Sequence, residues 1–324
     1  MRSNSNEKKG KSNNSLDLSE FNESYSSRWA YEMVEKQEKG KRVYHYTSLD
    51  AFYNILADVE EDFFTFRAGS VYTMNDVQEM KLGYEYLKEY LPKVEKRLGI
   101  KQEDKLFNMF KDVKKNENIS EKFGEWLIND DLTNFVVSFS SSPNILPMWT
   151  LYGGNGAGVC LEFSPYIIKE YYNKNGIDEN LLIKECVYNR DDIEELMMSE
   201  LHIVYKLFLD ENSDEQRLNP LTKAKYLATM CGITGAYVKH PCFEYEQEVR
   251  MTVFRPINDW NYGESRNGNR IVYVNVPIPL KALNNIVIGP AADMDKVRKA
   301  LVMSLRTKGI HIDPTQSTMP YRNY

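Results

Sequence analysis

Four cysteines are few for 324 residues, and Cys160, Cys186, Cys231 and Cys242 stand too far apart to form a CxxC pair. That spacing supplies neither a disulfide framework nor a structural zinc site, so reduced and mostly buried thiols are expected. Long apolar runs are missing too. None approaches the ~20 residues that cross a bilayer, and the polar N-terminus lacks the apolar stretch of a signal peptide. A cytoplasmic protein with no membrane partner is the expectation. Nor is positive charge in excess: Lys+Arg 41 against Asp+Glu 47 leaves a net charge of −6. No global field draws such a chain toward nucleic acid, which leaves only a local basic groove open.

What is present reads as a globular chain. Hydrophobic residues at 42% and charged residues at 27% give the balance of a soluble domain, and the length allows one large or two ordinary domains. Tyr 22 exceeds Phe 14, and each tyrosine offers a stacking face with a polar tip. Residues 1–27, rich in Ser, Asn, Lys and Glu, cannot bury enough apolar surface to offset the entropy of ordering, which predicts a disordered polar tail. A single α+β domain over residues 28–324 is expected to follow.

Periodicity then places the elements. A helix is expected through Trp29 and Val34, then a strand over Val43 to Tyr46, with Ser48 capping a helix that carries Leu49, Phe52 and Leu56 on one face. Asp76-Val77-Gln78-Glu79 has the form of a capping box, and Tyr84, Leu87, Leu91, Val94 and Leu98 continue an apolar stripe. Phe135 to Ser140, Val159 to Phe163, Ile183 to Tyr188, Val249 to Phe254, Ile271 to Val276 and Ile286 to Ile288 read as strands. Helices are expected at Ile193 to Leu209, Leu221 to Tyr237 and Met294 to Lys308. Blocks rather than strict alternation argue for α+β over a doubly wound parallel sheet.

Four segments mix polar residues with structural punctuation: Tyr44-His45-Tyr46-Thr47-Ser48, Met74 to Glu79, Met148 through Phe163, and Lys239-His240-Pro241 with Phe243 through Arg250. Together with Ile288-Gly289-Pro290 and Pro320-Tyr321-Arg322 they resemble the bacterial family DUF2971 over roughly Val43 to Arg322. The chain departs from that pattern at Val77, where the family usually has proline, and at Val249, where it usually has tryptophan. The family name carries no chemistry. A His-Tyr-Thr strand, a Ser-x-Ser strand and an aromatic-x-x-Glu-x-Glu turn, in that order, also resemble the ADP-ribosyltransferase superfamily. That resemblance implies a mixed or antiparallel split β-sheet with flanking helices, NAD as substrate and Glu248 as the catalytic glutamate. It implies His45 at the NAD ribose, Ser138 or Ser140 beside the nicotinamide, and Phe243 and Glu246 at the aromatic and first acidic positions of the turn, with Tyr245 an added aromatic. A macromolecular acceptor, nucleic acid or protein, is implied as well, in a bacterial toxin or anti-phage effector held by an antitoxin or chaperone.

The residue types suit that chemistry. Cleaving the nicotinamide glycosidic bond passes through an oxocarbenium-like cation that a nearby carboxylate stabilises. Two residues apart on a strand share a face, so Glu246 and Glu248 are expected in one cleft, the first orienting the acceptor. Neutral His45 can bond a ribose hydroxyl; Tyr72 or Tyr152 can stack on nicotinamide; Tyr46, Thr47 and Trp149 complete the expected cofactor set, with Arg67 and Arg250 for the pyrophosphate. The bland readings are a core histidine, a solvated ion pair at Glu248-Val249-Arg250, and core packing for Trp149 and Tyr152. Gly153 to Gly158 lacks the spacing of a P-loop or dinucleotide fingerprint. His240 with Cys242 lacks a partner pair, so no metal is expected. Two other functions compete: a metal-dependent nuclease using Glu162, Lys184 and Glu185, and a noncatalytic binding module.

Overall fold

The computed structural model describes residues 38–71, 79–102, 105–110, 134–177, 181–208, 220–264 and 270–321. The expected polar tail, the helix through Trp29, the capping-box residue Asp76 and the stacking candidate Tyr72 lie outside them. Strand β1 (Val43–Thr47) is followed by Ser48, whose hydroxyl accepts from the Ala51 amide at 3.2 Å and caps helix α1 (Leu49–Ala57). Strand β2 (Phe63–Ser70) takes up the aromatic run, and helix α2 (Glu79–Arg97) carries the Leu87, Leu91, Val94 stripe inward. Then come β3 (Asn134–Ser140), a short α3 (Leu146–Leu151), β4 (Val159–Phe163) and α4 (Pro165–Asn175). Strand β5 (Leu182–Glu185) is shorter than the expected run to Tyr188, and leads to helices α5 (Arg190–Phe208) and α6 (Pro220–Tyr237). The chain closes with β6 (Glu248–Phe254), β7 (Asn261–Glu264), β8 (Arg270–Pro279), β9 (Leu283–Ile288), α7 (Met294–Thr307) and β10 (Thr315–Gln316). Lys41–Tyr324 forms one compact unit.

The strands make an open, mostly antiparallel sheet in the order β10-β9-β4-β1-β3-β2-β8-β7, with β6 on the other edge of β3 and β5 beside β6. Only β10 with β9 is parallel among these pairs. Strand β3 is the hub. Along one edge it pairs with β6 from Asn134↔Phe254 to Ser140↔Glu248. On the other edge β1 touches it only at Tyr44↔Ser140, and β2 only at Gly69↔Val136 and Ser70↔Phe135. The sheet therefore forks, with β1 and β2 leaving β3 near its opposite ends.

Both faces are covered. One carries the main core of Phe64, Phe66, Phe139, Phe163, Val249 and Met251, capped by Phe52 of α1, Ile168 and Tyr172 of α4, and Leu301 and Leu305 of α7. The other packs Tyr46, Cys160 and Val287 against Trp149 of α3, and Val136 against Ala236 and Tyr237 of α6. Helices α2, α5 and α6 bury a third cluster that includes Leu91, Met197 and Leu227. At one point α2 and α6 nearly touch backbone to backbone: a Cβ on Gly83 would lie 2.7 Å from the Gly235 nitrogen. Among the described residues no helix is long and apolar enough to cross a membrane.

Candidate active site

After α6 the chain turns at Lys239 and enters a 3₁₀ helix over Pro241–Glu246. His240 caps it, its Nδ1 accepting from the Cys242 amide at 3.2 Å. The next residue, Gln247, takes a left-handed conformation (φ 45°), and β6 starts at Glu248. Glu246 and Glu248 are thus not strand neighbours two apart, as expected from periodicity. They converge because the left-handed residue folds the end of the 3₁₀ helix back beside the strand, where Lys239 meets both.

Lys239 Nζ donates to Glu246 Oε2 and, at 2.7 Å, to Glu248 Oε2. Arg250 donates through Nε to Glu248 Oε1 at 2.9 Å, through Nη2 to Oε2 at 3.0 Å, and through Nη1 to the Ala236 carbonyl at 2.7 Å. The Cys186 thiol lies 3.7 Å from Glu248 Oε2. Tyr152 Oη donates to the free side of Glu246, Oε1, at 3.2 Å. All four charged residues are buried, Arg250 completely and both glutamates to 4% exposure. Backbone anchors hold the frame: Ser140 Oγ donates to the Glu246 carbonyl at 2.8 Å, and the Glu248 amide donates to Tyr188 Oη at 2.9 Å.

Two cations face two anions, so the network is neutral as a whole. Burial alone would raise the Glu248 pKa, but Arg250 and Lys239 outweigh it and hold the carboxyl at about 2. Burial likewise opposes the charge on Lys239, and Glu248 and Glu246 overcome it and raise its pKa. Tyr152 is pushed up by burial and by the Glu246 charge, so it stays a donor. This end of the network reaches solvent: Tyr152 is 40% exposed and Tyr245 37%.

Strand parity sorts the remaining candidates. The registers Tyr44↔Ser140 and Ser140↔Glu248 set one row across β1, β3 and β6, with Ser138 opposite Arg250 on the same face. His45 alternates to the other face, where its ring meets Phe66 and Phe139 edge-on at 5.1 Å and 5.9 Å. The expectation that His45 and Glu248 serve one ribose is therefore corrected: a one-residue offset in β1 turns His45 away. Thr47 shares that other face, and with Arg67 and His45 lines a separate cavity. Tyr46 and Trp149 are core residues; their rings meet at 5.0 Å, Tyr46 Oη donates to the Ser142 carbonyl and Trp149 Nε1 to that of Pro143. Arg250 is completely buried and bound to Glu248 and to the Ala236 carbonyl, which places it out of reach of a pyrophosphate. The glycine loop is closed as well, because the amides of Gly153, Gly156, Ala157 and Gly158 all donate to backbone carbonyls.

The nuclease set comes apart. Glu162 pairs with Arg42 at 3.4 Å on β4, whereas Lys184 is bound by Glu200 on β5, with β1, β3 and β6 between the two strands. Among the described residues no group of three His, Cys, Asp or Glu is placed to hold a metal. Lys239, Cys186 and Tyr188 belong to the carboxylate site without having been assigned a role in it. Lys239 stood within a noted motif and was legible as a cation near two glutamates; nothing in the sequence marks the other two.

Residues 148–251 match the model of the family DUF2971, a protein of unknown function. No curated protein and no solved structure matches the chain. The DUF2971 match is narrower than the resemblance over Val43 to Arg322. It contains Tyr152, Lys239, Glu246, Glu248 and Arg250, and leaves out the strand that carries His45.

Proposed function

We propose that this chain is a glycosyl-transfer enzyme in which Glu246 is the reacting carboxylate, NAD is the donor substrate and a macromolecule, nucleic acid or protein, is the acceptor. One observation carries the reading: the strands that bear the three motifs are adjacent, Ser140 and Glu248 pair on one face of the sheet, and Glu246 beside them is bonded to the exposed Tyr152. The roles differ from those implied by resemblance. Glu248 has no unpartnered oxygen, so its part is to hold Lys239 and Arg250 and to keep negative charge at the site. Glu246 is tied to the surface only through Tyr152, whose displacement frees Oε1 for a ribose hydroxyl. The bond from C1′ of the ribose to nicotinamide breaks with its electron pair leaving on nicotinamide. The resulting cation is met by the glutamate charge and captured by an acceptor oxygen or nitrogen, whose proton passes to Glu246. His45 takes no part.

A second reading has its own support. Every carboxylate oxygen of Glu246 and Glu248 is partnered and the charges cancel, which suits a rigid frame for noncatalytic recognition through Tyr152 and Tyr245. Labelled NAD incubated with the protein and a cell lysate separates the two. Glycosyl transfer predicts nicotinamide release and label in protein, RNA or DNA, with Glu246→Gln reducing both by about 10²–10³-fold, the usual cost of losing a central electrostatic group. No nicotinamide release by the wild-type protein, with or without lysate, rejects it.

A further inference from the structure

Short helix α3 packs against the 3₁₀ helix that ends in Glu246. Met148 and Trp149 turn inward, which leaves Leu146, Pro147, Thr150 and Leu151 as the solvent side of α3. Three of those four are apolar. Among the described residues six large apolar or aromatic side chains are exposed, and four of them, Leu146, Leu151, Tyr152 and Tyr245, belong to these two segments. Leu151 is 59% exposed and is followed directly by Tyr152, whose hydroxyl closes Oε1 of Glu246. Charge is as unevenly spread as apolar surface. Leu132 through Leu161 contain no Asp, Glu, Lys or Arg. On the other side of the opening, His240 to Gln247 contribute Glu244 as an exposed carboxylate and no Lys or Arg, Glu246 being buried.

We infer that this patch docks the acceptor and that the acceptor is a protein presenting an apolar surface, a step that rests on the glycosyl-transfer reading. A nucleic acid would need lysine and arginine around the reacting group, because neutralised phosphates supply most of the strength of such binding. The two segments at this opening offer neither. Tyrosines flanked by exposed leucines match instead the aromatic anchors and apolar centre of protein–protein contacts, and exposed apolar side chains gathered in one place mark such contacts. A second copy of the chain is a poorer occupant, since each copy has net charge −6 and brings its own Glu244 to the rim. A protein seated on Leu151 reaches Tyr152 as well, and moving that hydroxyl exposes Glu246 where the acceptor stands. There an acceptor oxygen or nitrogen bonds to C1′ of the ribose, nicotinamide leaves with the electron pair of the broken bond, and the acceptor proton passes to Glu246.

Labelled NAD incubated with the full chain and a cell lysate, followed by separate digestion with protease, RNase and DNase, tests the inference, with nicotinamide release measured alongside. The labelled material should be degraded by protease and survive both nucleases. A chain carrying Leu146→Gln and Leu151→Gln, both at exposed positions, should keep the wild-type Tm and release nicotinamide without lysate at the wild-type rate, yet label lysate protein roughly tenfold less. Each single variant should fall by an intermediate factor. Label in RNA or DNA overturns the inference, as does label confined to the chain itself, or labelling of lysate protein unaltered in the double variant. In those three outcomes nicotinamide is still released, so the glycosyl-transfer reading survives; no release by the wild-type protein removes both.

Discussion

Lys239 holds together a pair of glutamates that would otherwise repel each other out of water. Breaking a buried pair by deleting one partner leaves an uncompensated charge and typically costs about 3–5 kcal/mol. Lys239→Met, which keeps most of the stem volume, is therefore expected to lower the unfolding free energy measured in urea by that order. A loss below about 1 kcal/mol, the scale of an exposed ion pair, would mean that the network is wetter than its burial implies. Glu248 makes a companion prediction about acid. Its carboxyl is held at about 2 against an ordinary 4.5, so the unfolded chain binds its proton first as pH falls. The stability it contributes is complete above pH 4.5 and drains away between 4.5 and 2. Denaturant melts across that window should show stability falling with pH in the wild type, and a shallower fall in Glu248→Gln. His45 has the same sign at a higher pH. Burial lowers its pKa below the ordinary 6.5, partly offset by the Ser138 carbonyl. The unfolded state gains the proton first, and stability declines as pH drops through 6.5. In His45→Gln that step should vanish from the pH dependence of Tm; an identical profile would show that His45 is already solvated.

At the scale of elements, two junctions decide what the strands present. One is the left-handed Gln247, which joins the 3₁₀ helix to β6 and turns the glutamates toward a common lysine. The other is the crossing of α2 and α6, where Gly83 meets Gly235 backbone to backbone. Gly83→Ala sets two effects against each other. Helix propensity favours alanine by about 1 kcal/mol, and the clash of its Cβ costs about 1–3 kcal/mol as the helices separate. A net loss of thermal stability is expected, and a higher Tm would mean that the helices stand further apart.

For the molecule as a whole, Lys41–Tyr324 is a unit whose cores are built from both early and late segments, Val43 and Phe52 packing with Leu301 and Leu305. A chain beginning at residue 38 is accordingly expected to melt cooperatively within a few degrees of the full-length protein by calorimetry. Two separate transitions would contradict a shared core.

Local chemistry made much of this legible. The cap at Ser48, the apolar stripe of α2 and the β-rich runs at Phe135, Val159 and Val249 each obey rules that act within a few residues, so those elements stand where periodicity puts them. Motif order suggested one cleft for His45, Ser138 or Ser140, and Glu248, and the registers pair Ser140 with Glu248 while leaving His45 on the other face. What only the tertiary structure decided is which face each candidate meets and what neutralises it. A strand alternates with period two, so a one-residue choice of register sends His45 to the core face and Tyr44 to the face of the glutamates. The charges that neutralise Glu246 and Glu248, Lys239 and Arg250, lie close in the chain, whereas the neutral partners Tyr152, Cys186 and Tyr188 lie up to 94 residues away, beyond any local signal, and are brought in by burial rather than by spacing.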